Sequence, residues 1–210
     1  MTDEEFAGTF IGILTAAAGI AVSVGWEHNI EILKSGLHGA VTMKYSTAIS
    51  FILAGFLLVF LLTRNSSELS KSLLAVPAIL LLALQGFVFI GMLTGTALPE
   101  WLAMGNGDSQ VHTPVPGLPS ALTSAGFLLV GLVGVLGLSN SDLRFPARMV
   151  SVTLTLLGLV ALIGHLLHIP WLFYASDINT GMAFHTAFLF VLVGAAIGTC
   201  DSSRASSELR

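Results

Sequence analysis

Six stretches of the chain contain no Asp, Glu, Lys or Arg, and each is long enough to cross a membrane. A helix needs about 20 apolar residues to span the hydrocarbon core. The stretches run continuously apolar instead of alternating, which excludes the strands of a membrane barrel. They cover residues 7–25, 46–63, 73–95, 118–138, 149–169 and 183–200. The sequence therefore predicts an all-α integral membrane protein with six transmembrane helices.

The composition supports this class of protein. Of the 210 residues, 54% are hydrophobic and 10% are charged, whereas soluble domains carry about 25% charged residues. A net charge of −4 provides no basic surface for nucleic acid. The single cysteine, Cys200, excludes a disulfide framework and a thiolate zinc site. We expect one membrane domain over residues 1–210, with the lipid bilayer as its main partner and no nucleic acid partner.

The distribution of Lys and Arg predicts the orientation. The loops 64–72 and 139–148 and the tail 201–210 carry Lys or Arg, whereas the loops 96–117 and 170–182 carry none. By the positive-inside rule, both termini and the short tail are cytoplasmic, which predicts a multi-pass protein of the cell's inner membrane. The start of the chain is acidic and lacks the positive region of a secretory signal, so we expect the first span to be retained.

Two features of the predicted outer side bear on this orientation. Lys34 and Lys44 lie in the first outer loop, 26–45, and are exceptions to the charge rule. Three tryptophans follow the outer ends of the first, third and fifth spans: Trp26, Trp101 and Trp171. Tryptophan is enriched at the headgroup level. We therefore expect these residues to be interfacial anchors, with ligand stacking as the alternative.

The second, fourth and sixth spans share a pattern of Thr, Phe and Gly at identical offsets. The matching residues are Thr47, Phe51 and Gly55; Thr123, Phe127 and Gly131; and Thr186, Phe190 and Gly194. The chain therefore reads as three two-helix hairpins, at about 1–63, 73–138 and 149–200. Units with two spans each insert in the same orientation, which predicts a parallel repeat about an axis along the membrane normal.

Small residues repeat along the sixth span. Gly194 and Gly198 are four residues apart, and such spacing lets helices approach closely. Packing inside the bundle is the favoured interpretation, and a homodimer is the alternative.

The segment 181–190, Gly-Met-Ala-Phe-His-Thr-Ala-Phe-Leu-Phe, is preceded by Gly164, by Ile-Pro-Trp at 169–171 and by Tyr174. Together they resemble the integral-membrane input region of bacterial sensory histidine kinases and diguanylate cyclases. In that family, hairpins with a Met-Ala-x-x-Thr-Ala-x-x-Phe-Leu-x-x-Gly signature precede cytoplasmic PAS, kinase or cyclase domains.

The resemblance implies a sensor for signal transduction of the two-component kind, acting on a cytoplasmic domain or protein. It implies no ligand-binding residues. The chain has ten residues after the sixth span, and they contain no kinase or cyclase segment. We therefore expect either an excised input region or a free-standing relative, with no enzymatic activity in this chain.

All six histidines fall on the predicted outer side or at outer span ends: His28, His38, His112, His165, His168 and His185. His165 and His168 are three residues apart, which places both on one helix face. Met182 and His185 repeat that spacing, and imidazole with thioether suits copper or haem iron. We favour ordinary polar residues at span ends and predict no cofactor. A metal site, or a pH-sensing group formed by His165, His168 and His185, is the alternative.

Gln85 is the only amide near the centre of a span. We expect it to bond to another helix, with a ligand contact as the alternative. No acidic or basic residue lies within a span, which argues against energised transport. No catalytic constellation is present. The predicted function is a non-catalytic sensory or regulatory module. The alternatives are a small facilitator for a neutral solute and a haem- or copper-binding protein.

Two loops carry local predictions. Ile30, Leu33, Leu37 and Val41 recur at helical spacing, which predicts a short interfacial helix in the first outer loop. The proline and glycine content of 96–117 predicts an irregular segment.

Overall fold

The computed structural model describes residues 3–36, 40–63, 67–104, 117–139, 143–173 and 180–208, without the side chains of 200–208. Within these ranges the chain is helical and forms no strand. The helices are α1 (Asp3–Glu27), α2 (Glu31–Ser35), α3 (Tyr45–Leu62), α4 (Glu68–Thr94), α5 (Ala121–Leu138), α6 (Arg144–Leu166) and α7 (Phe184–Glu208), and Pro170–Phe173 forms a 3-10 turn.

Five helices of the described ranges are long and apolar enough to cross a membrane: α1, α3, α4, α5 and α6. The apolar part of α7 is shorter, Phe184–Thr199. The predicted all-α fold is therefore confirmed for the described residues, and the length and composition of these five helices are consistent with a multi-pass membrane protein. The sixth span remains a prediction, because only this shorter stretch of α7 is available for it.

The helices α1, α4 and α6 end in the same way. Each is followed by a residue in the left-handed conformation: Asn29 (φ 55°), Gly95 (φ 67°) and His168 (φ 56°). In each case the N–H of the following residue donates a hydrogen bond to the carbonyl oxygen of a glycine in the helix. The pairs are Ile30 to Gly25 at 2.8 Å, Thr96 to Gly91 at 3.0 Å and Ile169 to Gly164 at 2.8 Å. This bond from the residue after the left-handed position is the Schellman helix ending. It turns each helix into the connection that follows.

The helices pack as three antiparallel pairs. The closest associations are α1 with α3, α4 with α5, and α6 with α7, which we call the first, second and third pairs. The pairs also contact one another in cyclic order, since α3 packs on α4, α5 on α6, and α7 on α1. The second helix of each pair therefore lies inside the bundle and touches the first helix of the next pair.

Three phenylalanines meet where α3, α5 and α7 face one another. The ring centroids of Phe51 and Phe127 are 4.8 Å apart, those of Phe127 and Phe190 are 5.0 Å apart, and those of Phe51 and Phe190 are 5.5 Å apart. None of the three side chains is exposed. These tilted and edge-on contacts are favourable geometries for aromatic rings. The centre of the bundle is therefore filled at this level.

Glycines set the spacing within the first and third pairs. A Cβ atom on Gly19 would lie 2.6 Å from the carbonyl oxygen of Ala48. A Cβ atom on Gly158 would lie 2.5 Å from the carbonyl oxygen of Ala187. Only glycine allows two membrane helices to approach this closely. Ala48 and Ala187 each follow the threonine of the repeated pattern.

Of the two loop predictions, the first is wrong in part and the second is confirmed for the residues that the structure describes. The predicted interfacial helix is wrong in extent, because α2 stops at Ser35 and Val41 lies buried in a non-helical segment. Gly36 ends α2 in the left-handed conformation, which turns the chain back toward the bundle. Leu37 lies outside the described residues. Residues 96–104 contain no helix or strand, as predicted, and 105–116 lie outside the described residues.

The central phenylalanines provide a test of the packing. We expect Phe190→Ala to lower the free energy of unfolding by about 3 kcal/mol, because it opens a cavity among buried rings. Phe188→Ala is the matched control, since Phe188 lies on the same helix and is 48% exposed. Unfolding in detergent by titration with sodium dodecyl sulfate measures both. Equal losses for the two variants would contradict the described core.

The glycine contacts provide a second test. Gly55→Ala would place a Cβ atom 2.5 Å from the Gly12 carbonyl oxygen and 2.6 Å from the Ala16 nitrogen, so backbone must move. We expect a loss of about 2 kcal/mol. A Cβ atom on Gly86, also inside a helix, would meet nothing within 4 Å. Gly86→Ala should raise stability by up to about 1 kcal/mol through helix propensity. The thermal midpoints of the two variants should move in opposite directions.

Candidate functional site

The candidate site lies at the end of the bundle where α1, α4 and α6 finish, which we call the Trp26 end. Here the described parts of the connections of the first and third pairs share their backbone hydrogen bonds at matching positions. Met43 N donates to Lys34 O at 2.7 Å, and Met182 N donates to Phe173 O at 2.8 Å. The same number of residues separates Asn29 from His168, Lys34 from Phe173 and Met43 from Met182. The two connections can therefore be compared residue by residue.

In the first connection, an indole and a lysine form one unit. Trp26 Nε1 donates to Met43 O at 2.8 Å. Lys34 Nζ lies 4.9 Å from the centroid of the Trp26 ring and donates to Asn29 Oδ1 at 2.6 Å. A cation over an indole face is attracted by the ring quadrupole. These contacts explain how the Lys34 ammonium is held in a nearly buried position.

The tryptophans divide into two kinds. Trp26 is half-buried in the last turn of α1 and uses its N–H inside the protein, and its role as an interfacial anchor stays a prediction. Trp101 and Trp171 are 66% and 78% exposed. Their exposure suits the predicted anchoring role.

In the third connection, His165 takes the position of Trp26. Its Nε2 lies 2.8 Å from Met182 O. A carbonyl oxygen only accepts hydrogen bonds, so this nitrogen carries the proton. The imidazole stacks on the Phe173 ring with centroids 4.2 Å apart, and Phe173 stands where Lys34 stands in the first connection. The third connection therefore keeps the architecture of the first but replaces its lysine–indole pair by an imidazole–phenyl stack.

His185 joins the two connections. It lies in the first turn of α7, and a Cβ atom on Gly36 would lie 3.5 Å from His185 Nδ1. The neighbouring Phe184 presents its ring edge to His165, with centroids 5.8 Å apart. The start of α7 therefore contacts the connection of its own pair and that of the first pair.

The structure separates the predicted histidine group. The helix α6 ends at Leu166, and His168 is exposed in the left-handed conformation, so His165 and His168 do not share a helix face. Met182 gives its carbonyl oxygen to His165, and its side chain is buried in the core. His28 is exposed, whereas His38 and His112 lie outside the described residues.

Metal ligation finds no support in this arrangement. Among the described residues, no group of three or more His, Cys, Asp and Glu side chains is placed to hold a metal ion. The residues brought together at the Trp26 end are instead His165, His185, Phe173 and Phe184.

Gln85 has an interhelical partner of the kind expected for an amide in a membrane helix. Its Nε2 donates to Ser50 Oγ on α3 at 2.5 Å, and Ser50 Oγ donates to Ser46 O at 2.8 Å. Three side-chain oxygens are buried without a hydrogen-bond partner among the described residues: Gln85 Oε1, Ser46 Oγ and Ser124 Oγ. We call these three residues and Ser50 the polar layer.

Lys44 is a site feature that sequence reasoning treated only as an exception to the charge rule. It directly precedes α3 and is 2% exposed. Its Nζ donates to Thr42 Oγ1 at 3.3 Å. Burial lowers the pKa of Lys44 to about 7, because the ammonium is removed from water. The position of Lys34 and Lys44 against the charge rule was a signal in the sequence, but the sequence does not show that either side chain is buried.

The comparisons with known proteins give no relative for this chain. No family model, no curated protein and no solved structure matches it.

Lys44 generates a prediction about pH. The folded-state pKa lies below the ordinary 10.5, so between about 7 and 10.5 the unfolded chain binds more protons than the folded one. The free energy of unfolding should therefore rise with pH over this window, by at most about 1.4 kcal/mol per unit. Lys44→Met should remove this rise. Lys71→Met, at an exposed residue of α4, is the control and should retain it. Parallel pH profiles for wild type and Lys44→Met would contradict the assignment.

Proposed function

We propose that the protein is a non-catalytic membrane module for sensing or regulation. It is built from three parallel hairpins about a pseudo-threefold axis and passes a signal from the Trp26 end to a cytoplasmic domain or protein. The single observation that carries the proposal is α7. This helix begins against two connections at the Trp26 end and runs without a break to Glu208.

Three observations support the threefold repeat. The helix pairs contact one another in cyclic order. The helices α1, α4 and α6 share one type of ending. The phenylalanines at matching positions of α3, α5 and α7 meet in a triangle. Independent helices would have no reason to agree at all three levels, whereas copies of one hairpin would.

The predicted orientation places the Trp26 end outside the cell and both termini in the cytoplasm of a bacterium. The charge distribution among the loops supports it. The exposed Trp101 and Trp171 also support it, since both lie at the Trp26 end. Apolar side chains cover the outer faces of α1, α4 and α6, which suits contact with lipid tails.

A route from the Trp26 end to the other end is provided by the third pair. The helices α6 and α7 are held together at two levels about two turns apart, because Gly158 packs on Ala187 and Gly194 packs on Ser151. They therefore form a stiff unit. A change in the connection of the first pair reaches this unit through His185, and a tilt of the unit displaces the far end of α7.

A facilitator for a neutral solute is the competing class, and the closed centre argues against it. In liposomes containing the purified protein, we expect urea and glycerol to equilibrate at the rate of protein-free liposomes, because three phenyl rings fill the axis. Stopped-flow light scattering measures this rate. A rate clearly above that of protein-free liposomes would establish transport and overturn the proposal.

Disulfide locks test whether the third pair moves as a unit. On a Cys200→Ser background, Gly8→Cys with Thr199→Cys should bridge α1 to α7, since a Cβ atom on Gly8 lies 2.9 Å from Thr199 Oγ1. Ser151→Cys with Gly198→Cys should bridge α6 to α7, since their Cβ atoms are 3.8 Å apart, within the range for disulfides. The first lock joins two pairs, and the second stays within one pair.

The readout uses genes whose expression differs between the native source and its deletion strain, so no stimulus need be known. We expect the α1–α7 lock to give the deletion profile and a reductant to restore the wild-type profile. The α6–α7 lock should leave the wild-type profile, because those helices move together. A formed α1–α7 bridge with an unchanged profile would refute the route, and the single-cysteine variants control for the substitutions.

A further inference from the structure

The second helix pair is spaced more widely than the other two. A Cβ atom on Gly55 would lie 2.5 Å from Gly12 O, and a Cβ atom on Gly194 would lie 2.8 Å from Ser151 O. At the matching position of the second pair, a Cβ atom on Gly131 would lie 3.5 Å from Ala78 O. The helices α4 and α5 therefore approach each other less closely than their counterparts.

The cause of the wider spacing lies one to two turns toward the Trp26 end. Gln85 occupies the position that Gly19 and Gly158 occupy in the other pairs, at the same distance from the helix ending. There a Cβ atom would lie only 2.6 Å or 2.5 Å from a carbonyl oxygen of the partner helix. A glutamine cannot fit that spacing, so the second pair must be wider here. Its side chain instead reaches out to Ser50 on α3.

On the partner helix α5, a polar residue also replaces the alanine of the other two pairs. Ser124 stands at the position of Ala48 and Ala187, three residues before the phenylalanine of the repeat. Ser124, Ser46 and Gln85 are all completely buried, and each leaves one oxygen without a partner among the described residues. An unpaired buried polar atom disfavours the state that contains it. Unpartnered buried polar atoms also occur in the first and third pairs, at Thr9, Ser46 and His185. Among the described residues, however, only the second pair carries them on both helices at the position where the other pairs place glycine against alanine.

At the other end, the second pair is held by apolar contacts. A Cβ atom on Gly134 would lie 2.8 Å from the Ala78 Cβ atom, and one on Gly131 would lie 2.7 Å from Leu82 Cγ. We call the half toward the Trp26 end the polar half, since it holds the unpartnered oxygens beside a small buried apolar cluster of Val88, Leu98, Leu102, Ala103 and Leu118. The other half is held by apolar side-chain contacts that fill its wider backbone spacing. A separation of α4 and α5 would begin at the polar half and leave the other half as the hinge.

We propose that the second pair opens between α4 and α5 at the Trp26 end and admits water to Gln85 and Ser124. Water supplies the partners that these oxygens lack, so opening is compensated where Gln85 and Ser124 replace the glycine and alanine of the other pairs. This inference deepens the proposed function, since it names the part of the bundle that moves. Opening displaces α5 and with it Phe127, which contacts both Phe51 and Phe190.

Cysteine accessibility tests the opening, with controls that the repeat itself provides. On a Cys200→Ser background, Ser124→Cys, Ala48→Cys and Ala187→Cys place a thiol at three equivalent positions. Membranes are treated with a small, water-soluble methanethiosulfonate reagent. We expect the thiol at position 124 to react at least ten times faster than those at 48 and 187. Equal rates at the three positions would overturn the proposal, and equal reaction after denaturation confirms that each thiol is intact.

Gln85→Leu tests whether the polar layer causes the opening. Leucine has no polar atom to hydrate, and Ser50 Oγ keeps its bond to the Ser46 carbonyl oxygen. We expect this variant to slow labelling at position 124 at least five-fold without lowering the thermal midpoint. Unchanged labelling would refute the role of Gln85, because general breathing of the helices does not depend on its amide.

A measurement on the unmodified protein guards against misfolded variants. In lipid nanodiscs, backbone amides of 121–126 should exchange with deuterium at least ten times faster than those of 45–50 and 184–189. These are the first turns of α5, α3 and α7. Uniform protection across the three segments would overturn the opening. Neither labelling nor exchange depends on a signalling output, so this inference and the proposed function can fail separately.

Discussion

The contact among Phe51, Phe127 and Phe190 is the interaction on which the rest of the bundle depends. Each ring comes from the inner helix of a different pair, and each is fully buried. Helices in a membrane gain little from the hydrophobic effect, since lipid tails are as apolar as leucine. Association therefore rests on close packing, and three rings in mutual contact provide it where inner helices of all three pairs meet.

Around that centre, the three pairs use the same frame for different chemistry. The first and third share their glycine contacts and the backbone hydrogen bonds of the described parts of their connections. In the first, a lysine ammonium lies over an indole, and in the third an imidazole stacks on a phenyl ring. The second pair replaces glycine by Gln85 at the tightest point and so carries a buried polar layer. Three helix pairs of similar packing thus differ in the polar groups that they bury.

Much of the fold was predictable, because a helix that crosses a membrane needs a long uncharged stretch that can be recognised in the sequence. Uncharged stretches predicted the helices, and the shared Thr, Phe and Gly offsets singled out Phe51, Phe127 and Phe190 before their contact was visible. The exposed Trp101 and Trp171 lie as an interfacial role requires. The role of Trp26 was not predictable, since its hydrogen bond to Met43 depends on how the connection folds back.

The class of fold, the approximate helix positions and the recurring Thr, Phe and Gly residues could be predicted from the sequence, because they follow from local hydrophobicity and spacing. The burial of Lys34 and Lys44, the position of His168 beyond the helix that carries His165, and the hydrogen bond from Gln85 to Ser50 became visible only in the folded chain. The physical reason is that burial and hydrogen bonding belong to pairs of groups from distant parts of the chain. The local sequence around one such group does not show which distant group it will contact.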